Sequence, residues 1–293
     1  MNTLGWLVNY WKDTNAFQRP WQEFLHELGA GQPKEVWKVT EGWRQWRAYG
    51  GPVGGMYYDL AMPKFTTPPI LSKIEVELIT GAAIVAISKA DDVIDEHELS
   101  LDERVDTIEQ LFTVLKKGEP KQWKSPETTA ISLLLQYINK KISTLQHPEL
   151  YFEEFERMKD GYVQQIKGEL SLEQMMNAGS AFTGMLMSIM YCMDSKLPQR
   201  FLAAARHFGA YTQLRDDLAD VRHDRKRGLQ TIITIADSKA AVAQVKSAAK
   251  RQYEASLAQL EPAERSFCRA LDICITLERI RTNYFPYKGT FVK

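Results

Sequence analysis

The stretch ITGAAIVAISKADDVIDE, residues 79–96, decides the fold. Its first half is apolar and small, with Gly81, Ala82, Ala83 and Ala86, and its second half closes on Asp91, Asp92 and Asp95. It holds no proline and lacks the polar–apolar alternation of a strand, so the pattern predicts a helix over 70–95. A second stretch repeats the design. Residues 199–221 carry Ala203, Ala204, Ala205, Gly209 and Ala210, then Asp216, Asp217 and Asp220 in QLRDDLADVRHD, with Asp224 just beyond. Small residues let neighbouring backbones approach closely or leave room for a ligand.

Outward from these two segments, helical periodicity dominates the chain. Gly and Pro at 50–55, 63–69, 118–126, 148, 198, 228, 262 and 286 read as breaks between helices. The intervening stretches are rich in Ala, Leu, Glu, Gln, Met and Lys, which favour helix. There is no repeat, low-complexity tract or linker-like segment. The expectation is an all-α protein of about ten to twelve helices. The length allows one large domain or two modest ones, and the whole of 1–293 is expected to form a single domain. Residues 1–60 hold Trp6, Trp11, Trp21, Trp37, Trp43 and Trp46. They read as amphipathic helices packing on the core, because aromatics mostly serve as buried area. A peripheral membrane contact or a partner surface is the sharper alternative.

Charge excludes some function classes. Lys and Arg number 37 against 37 Asp and Glu, so net charge makes no case for nucleic acid or for an acidic surface. Local clustering of charge matters instead. Cys192, Cys268 and Cys274 are an odd, sparse set without framework spacing, which suggests free thiols in a reducing compartment. No Cys–His pattern has zinc spacing. The longest apolar runs, 78–87 and 185–193, are about half of the roughly twenty residues a transmembrane helix needs. The first twelve residues do not read as a signal peptide. The expectation is a cytoplasmic protein.

A solvated acidic face is the plain reading of either aspartate cluster alone; the two together point to a cation. Asp91 and Asp95 share a helix face, with Asp92 about 100° around, and the second cluster repeats the i, i+1, i+4 spacing. Like charges at i,i+4 destabilise a helix by roughly 0.2–0.5 kcal/mol per pair. At a helix C-terminus the dipole makes this worse. A structural helix gains nothing from such an arrangement, whereas a divalent cation reverses its sign. Mg²⁺ prefers oxygen ligands, takes one or two carboxylates per site, and shares its other positions with phosphates and water. Two facing clusters could hold several ions, neutralise a diphosphate and make it a good leaving group. One DDxxD alone is a weak signal; two, each following a small-residue apolar helix, are a strong one.

These motifs resemble a known superfamily. ITGAAIVAISKADDVIDE resembles the first aspartate-rich motif of trans-isoprenyl diphosphate synthases, and YTQLRDDLADV, with Gln213 ahead of the acids, resembles the second. The tail DVRHDRKRG is similar to the second motif of squalene and phytoene synthases. All belong to the class I isoprenoid synthases, and the match covers roughly 70–100 and 160–235. The resemblance implies a helical bundle around a deep apolar cavity. At its mouth Asp91, Asp92, Asp95, Asp216 and Asp217 bind Mg²⁺, about three ions, with Asp220 as a further second-motif ligand. A prenyl diphosphate would be the substrate and its ionisation would yield an allylic carbocation. Homodimers are common in the resembled family.

The chain departs from the elongating members in its basic residues. Those members bind isopentenyl diphosphate partly with an arginine pair after the first motif, where this chain has Ser100 and Leu101, with Arg104 later. Their upstream Gly-Lys-x-x-Arg run is matched only loosely by Arg44 and Arg47 in GWRQWR. Their Lys-Thr pair has no counterpart in SLEQMMNAGSAFTG, which lacks Lys. The expectation is therefore a terpene synthase-like enzyme that ionises one prenyl diphosphate and then cyclises, eliminates or quenches the cation. A prenyltransferase, elongating or using a non-diphosphate acceptor, is the alternative. A non-catalytic partner subunit of a heteromeric synthase comes third.

Lys167, Arg215, Arg222, Arg225, Lys226 and Arg227 are candidates for holding the diphosphate. By the resemblance, Gln164, Gln165 and Glu169 sit at the cavity mouth. Phe182 begins FTGMLMSIMYCM, a segment that reads as core and, by the resemblance, also as pocket wall. By the same resemblance Ala83, Ala86 and Ile87 would floor the pocket; none is aromatic, so a substrate of about fifteen carbons or longer is expected to fit.

Overall fold

The computed structural model describes residues 1–44, 50–94, 99–121, 123–167, 171–227 and 238–284, without the side chains of residues 44, 220, 222–227 and 278–284. The described chain is all-α, with no strand. Its helices are α1 (Thr3–Gly29), α2 (Lys34–Arg44), α3 (Gly50–Ala61), α4 (Lys73–Ile94), α5 (Leu101–Lys117) and α6 (Pro126–Ile142). They continue with α7 (Glu149–Ile166), α8 (Leu172–Met193), α9 (Arg200–Arg227), α10 (Lys239–Gln259) and α11 (Arg265–Tyr284).

Local chemistry sets many of the ends. Ser100 and Ser171 open α5 and α8 with capping boxes to Glu103 and Gln174, satisfying donors that have no partner inside the helix. Ser125 caps α6 with Pro126 in the first turn, where the missing N–H costs nothing. Gly118 ends α5 at φ 70°, a left-handed conformation that disfavours a side chain.

One expected break is not a break. Residues 50–55 read as a glycine-rich interruption, yet they are the first half of α3. Propensity loses to packing here, because α3 lies so close to its neighbours that side chains have no room. A Cβ at Gly50 would strike Ile84, at Gly51 Phe17, at Gly54 Thr80 and at Gly55 Glu77. Pro52 falls in the first turn, where it is tolerated.

The packing runs as a ring. α4 packs against α3, α6 and α5; α5 against α7; α7 against α8; and α8 returns to α3. α9 lies outside α8, and α10 outside α9. Residues Thr183–Met193 of α8 are all buried, so this Met-rich stretch is core, while Phe182 is half-buried. Trp6, Trp21 and Trp43 are buried in the same core, whereas Trp11 and Trp37 are exposed; Trp46 lies outside the described residues. Cys192, Cys268 and Cys274 are free and buried.

Candidate active site

The first aspartate cluster sits in the last turn of α4. Asp91 and Asp92 are exposed there, and Asp95 lies outside the described residues. The helix dipole is negative at this end, so the two charges are held against both it and each other. Two contacts offset this. Lys89 Nζ pairs with Asp92 Oδ2 at 2.7 Å, one turn back on the same helix. The Tyr162 phenol, on α7, donates to Asp91 Oδ1.

The second cluster is placed differently from expectation. α9 continues to Arg227, so Asp216 and Asp217 lie nearly three turns before its end. The helix-dipole penalty therefore applies to the first cluster and not to the second. Extension is favoured by the run RHDRKR, since cations near a helix C-terminus complement its dipole. Asp217 is buried and accepts a hydrogen bond from Gln213 Nε2 at 3.3 Å, while Asp216 is exposed. The side chain of Asp220 lies outside the described residues.

A continuous line of contacts joins the two clusters. Asp91 meets Tyr162 near the end of α7. Next to it, Gly161 lies against Ala178 of α8, so close that a Cβ there would stand 2.9 Å from the Ala178 Cβ. The following residue, Gly179, abuts Gly209 and Gln213 of α9; a Cβ on Gly179 would meet the Gly209 carbonyl oxygen at 2.6 Å. Gln213 then holds Asp217. The Thr183 hydroxyl donates to the Ala205 carbonyl at 2.6 Å and ties α8 to α9 one turn further along. The end of α4, the end of α7, the start of α8 and the acidic part of α9 thus gather at one end of the bundle.

Other candidate residues fall in and out of this region. Gln164 is half-buried, two residues beyond Tyr162, and Lys167 is exposed at the C-cap of α7. Arg215 turns elsewhere: its guanidinium pairs with Asp272 of α11 and donates to the Tyr211 hydroxyl at 3.2 Å. Ser100 and Leu101 are taken up in starting α5, and Arg104 Nε donates to the Leu99 carbonyl at 3.1 Å. Ala83 and Ala86 are fully buried and Ile87 half-buried. At 100° per residue, Ile87 stands about 40° from Asp91 around α4, Ala83 about 80° and Ala86 about 140°. Arg47 and Glu169, and the side chains of Arg44, Arg222, Arg225, Lys226 and Arg227, lie outside the described residues.

Tyr162 carried no sequence signal, because a tyrosine on a helix is ordinarily core. Lys89 could have been found, since a cation three residues from an acid on one helix is a standard pair. Gly179 and Gly209 could be recognised only as a pair across two helices.

The donor set suits a hard cation. The described acids offer only carboxylate oxygens, with no thiol or imidazole among them, which is Mg²⁺ chemistry rather than zinc chemistry. Among the described residues no three acidic side chains converge into a ready-made cage. Mg²⁺ does not need one when phosphate oxygens and water complete its shell.

No family model matches the sequence, and no curated protein matches it. The structure has the all-α isoprenyl synthase fold. It is similar to a solved geranylgeranyl pyrophosphate synthetase from the archaeon Geoglobus acetivorans, with a TM-score of 0.53 and 12% identity. The likeness spans 92% of this chain and 98% of that one.

Proposed function

We propose that this chain is a Mg²⁺-dependent enzyme that ionises a single allylic prenyl diphosphate of about fifteen carbons or more. The carbocation would then cyclise, lose a proton or be quenched, in the manner of a terpene synthase. The observation that carries this is the contact line from Asp91 through Tyr162, Ala178 and Gly179 to Gln213 and Asp217. It supports two carboxylate clusters working at one end of an apolar bundle.

In this mechanism Asp91, Asp92, Asp216 and Asp217 would hold the metal, with Asp95 and Asp220 as further ligands. Bound Mg²⁺ supplies charge neutralisation of the departing diphosphate. Tyr162 and Gln213 orient one carboxylate in each cluster. Lys89 sets the charge beside Asp92, and Lys167 and Gln164 are candidates for contacting the diphosphate. Arg44, Arg47, Lys226 and Arg227 are proposed diphosphate contacts from their sequence positions. Arg215, already engaged by Asp272, would act only if that pair opened. The apolar bundle below the clusters would exclude water, which otherwise quenches the cation early.

The alternative is prenyl transfer. The similar solved structure is a geranylgeranyl pyrophosphate synthetase, which favours it. Against elongation, Ser100 and Leu101 serve as a helix start and Arg104 donates to a backbone carbonyl. A second diphosphate would then face the acids with little positive charge.

The test is direct. Purified protein is incubated with Mg²⁺ and allylic diphosphates of increasing length, with and without isopentenyl diphosphate, and released pyrophosphate and extracted products are measured. Hydrocarbons or alcohols formed without isopentenyl diphosphate are the expected result. Longer diphosphates formed only in its presence would establish the prenyltransferase instead. Asp91→Ala and Asp216→Ala should each lower pyrophosphate release by about 10²-fold or more. Full activity in both variants would sink the metal-cluster assignment.

A further inference from the structure

The outward side of α1 is apolar over its first three turns. Leu4 is 68% exposed and Trp11 71%, with Val8 between them at helical spacing and Met1 one turn ahead. The opposite side of the helix, with Trp6, Tyr10 and Phe17, is packed in the core. A helix that is apolar on two opposite sides is one that is covered on both.

Charge says what covers the outer side. Residues 1–22 contain one carboxylate, Asp13, and it pairs with Lys73 of α4 at 2.8 Å. The exposed cations Lys12 and Arg19 lie about 80° and 60° around the helix from Leu4, along one side of the apolar stripe; Arg19 is paired with Glu23 one turn on at 2.7 Å, and Lys12 is the cation nearest Trp11. α11 packs beside α1: Trp6 and Phe267 stack edge-on at 5.3 Å, and the Ser266 hydroxyl donates to the Met1 carbonyl at 2.7 Å. α11 repeats the pattern, with Arg269, Ile273 and Leu277 exposed at four-residue spacing. Residues 265–293 carry six Arg and Lys against two acids, and one of those acids, Asp272, is paired with Arg215.

We propose that the outer face of α1, with the neighbouring strip of α11, rests on a bilayer surface bearing anionic lipid. Leu4, Val8 and Trp11 enter the boundary between headgroups and acyl chains, and Lys12 and Arg269 meet the headgroups. A mixed apolar and cationic helix face with an exposed Trp is the composition that binds such surfaces. A second copy fits less well. A stable dimer buries at least about 1,200 Å² in total, more than one narrow stripe supplies. Pairing the face with itself would also bring like charges together.

The test needs no substrate, so its failure leaves the proposed activity untouched. The full chain is sedimented with vesicles of phosphatidylcholine, with or without phosphatidylglycerol. Binding to the anionic vesicles that weakens with added salt is expected. The double variant Leu4→Glu/Trp11→Glu should lose about tenfold or more in vesicle affinity while its thermal midpoint stays unchanged, because both side chains are exposed. Lack of binding to either vesicle, or equal binding by the variant, would overturn the proposal. So would a concentration-dependent dimer that the same variant dissociates, which would make the occupant a second copy.

Discussion

Tyr162 holds Asp91 in the last turn of α4 by a hydrogen bond to a charged acceptor. Such bonds contribute about 1.5–3 kcal/mol when buried, and less at an exposed carboxylate like this one. Tyr162→Phe is expected to cost about 1 kcal/mol or less in urea unfolding. If Asp91 is a metal ligand, the same change should shift the Mg²⁺ concentration for half-maximal pyrophosphate release several-fold with kcat little changed. An unaltered Mg²⁺ response would show that the phenol does no positioning. Ile87 is the other informative single residue. It stands below Asp91 on the same side of α4 and is half-buried; on the proposed function, Ile87→Trp should shorten the accepted prenyl chain at small cost in stability. Product analysis with substrates of two lengths checks this. A Phe at fully buried Ala83 or Ala86 would add overpacking of about 1–3 kcal/mol to any such effect.

At the scale of elements, the site depends on how closely helices cross. α8 and α9 touch backbone to backbone at Gly179 and Gly209, and a Cβ on Gly209 would strike both the Gly179 carbonyl oxygen and the Thr183 hydroxyl. Backbone cannot swing aside as a flexible side chain can. Gly209→Ala is therefore expected to destabilise by about 1–3 kcal/mol, despite the better helix propensity of Ala. On the proposed function pyrophosphate release should fall as well, because Gln213 and Asp217 lie just beyond on the same helix. Denaturant unfolding and the activity assay on one preparation separate the two effects. The helices themselves were legible in the sequence: 70–95 was expected and Lys73–Ile94 is found, 199–221 was expected and Arg200–Arg227 is found. The extra turns of α9 were missed because a charged run reads equally as solvated loop or as solvated helix. The glycine-rich α3 was missed because residue propensity speaks against it.

At the scale of the whole molecule, stability carries a pH signature from the seam of α1, α3 and α4. Glu77 is 4% exposed. Burial pushes its carboxyl up to about 8, and the charge of Asp13 adds to the rise. Nearby, Lys73 bridges Asp13 and Asp59 at 2.8 and 2.7 Å. Between its ordinary 4.5 and about 8, Glu77 keeps its proton in the native chain and loses it in the unfolded one. The unfolded state then binds fewer protons, so stability falls as pH rises through this window. The loss is on the order of a few kcal/mol. Glu77→Gln should flatten this slope, read from urea unfolding at about pH 6 and about pH 8.5. An unchanged slope would place the titration elsewhere. Glu75 acts in the opposite sense. Its hydrogen bond from Lys141 lowers it to about 2, so its contribution is lost only as pH falls from 4.5 toward 2. Glu75 is about a third exposed, so solvent screening keeps that contribution small.

The sequence by itself determined that the chain is helical and where its acids cluster. Helix periodicity and acid spacing are local properties, written within about a dozen neighbouring residues. Two DDxxD clusters, each following a small-residue helix, needed no third dimension to point to a hard cation and a diphosphate. Only the tertiary structure decided that the two clusters lie at one end of the bundle, joined through Tyr162 and the Gly179–Gly209 crossing. It also decided that Arg215 pairs with Asp272 of α11, and that residues 50–55 are helix. These outcomes depend on which surfaces meet across long separations in the chain. A contact between residues dozens of positions apart leaves no mark in the periodicity of either segment.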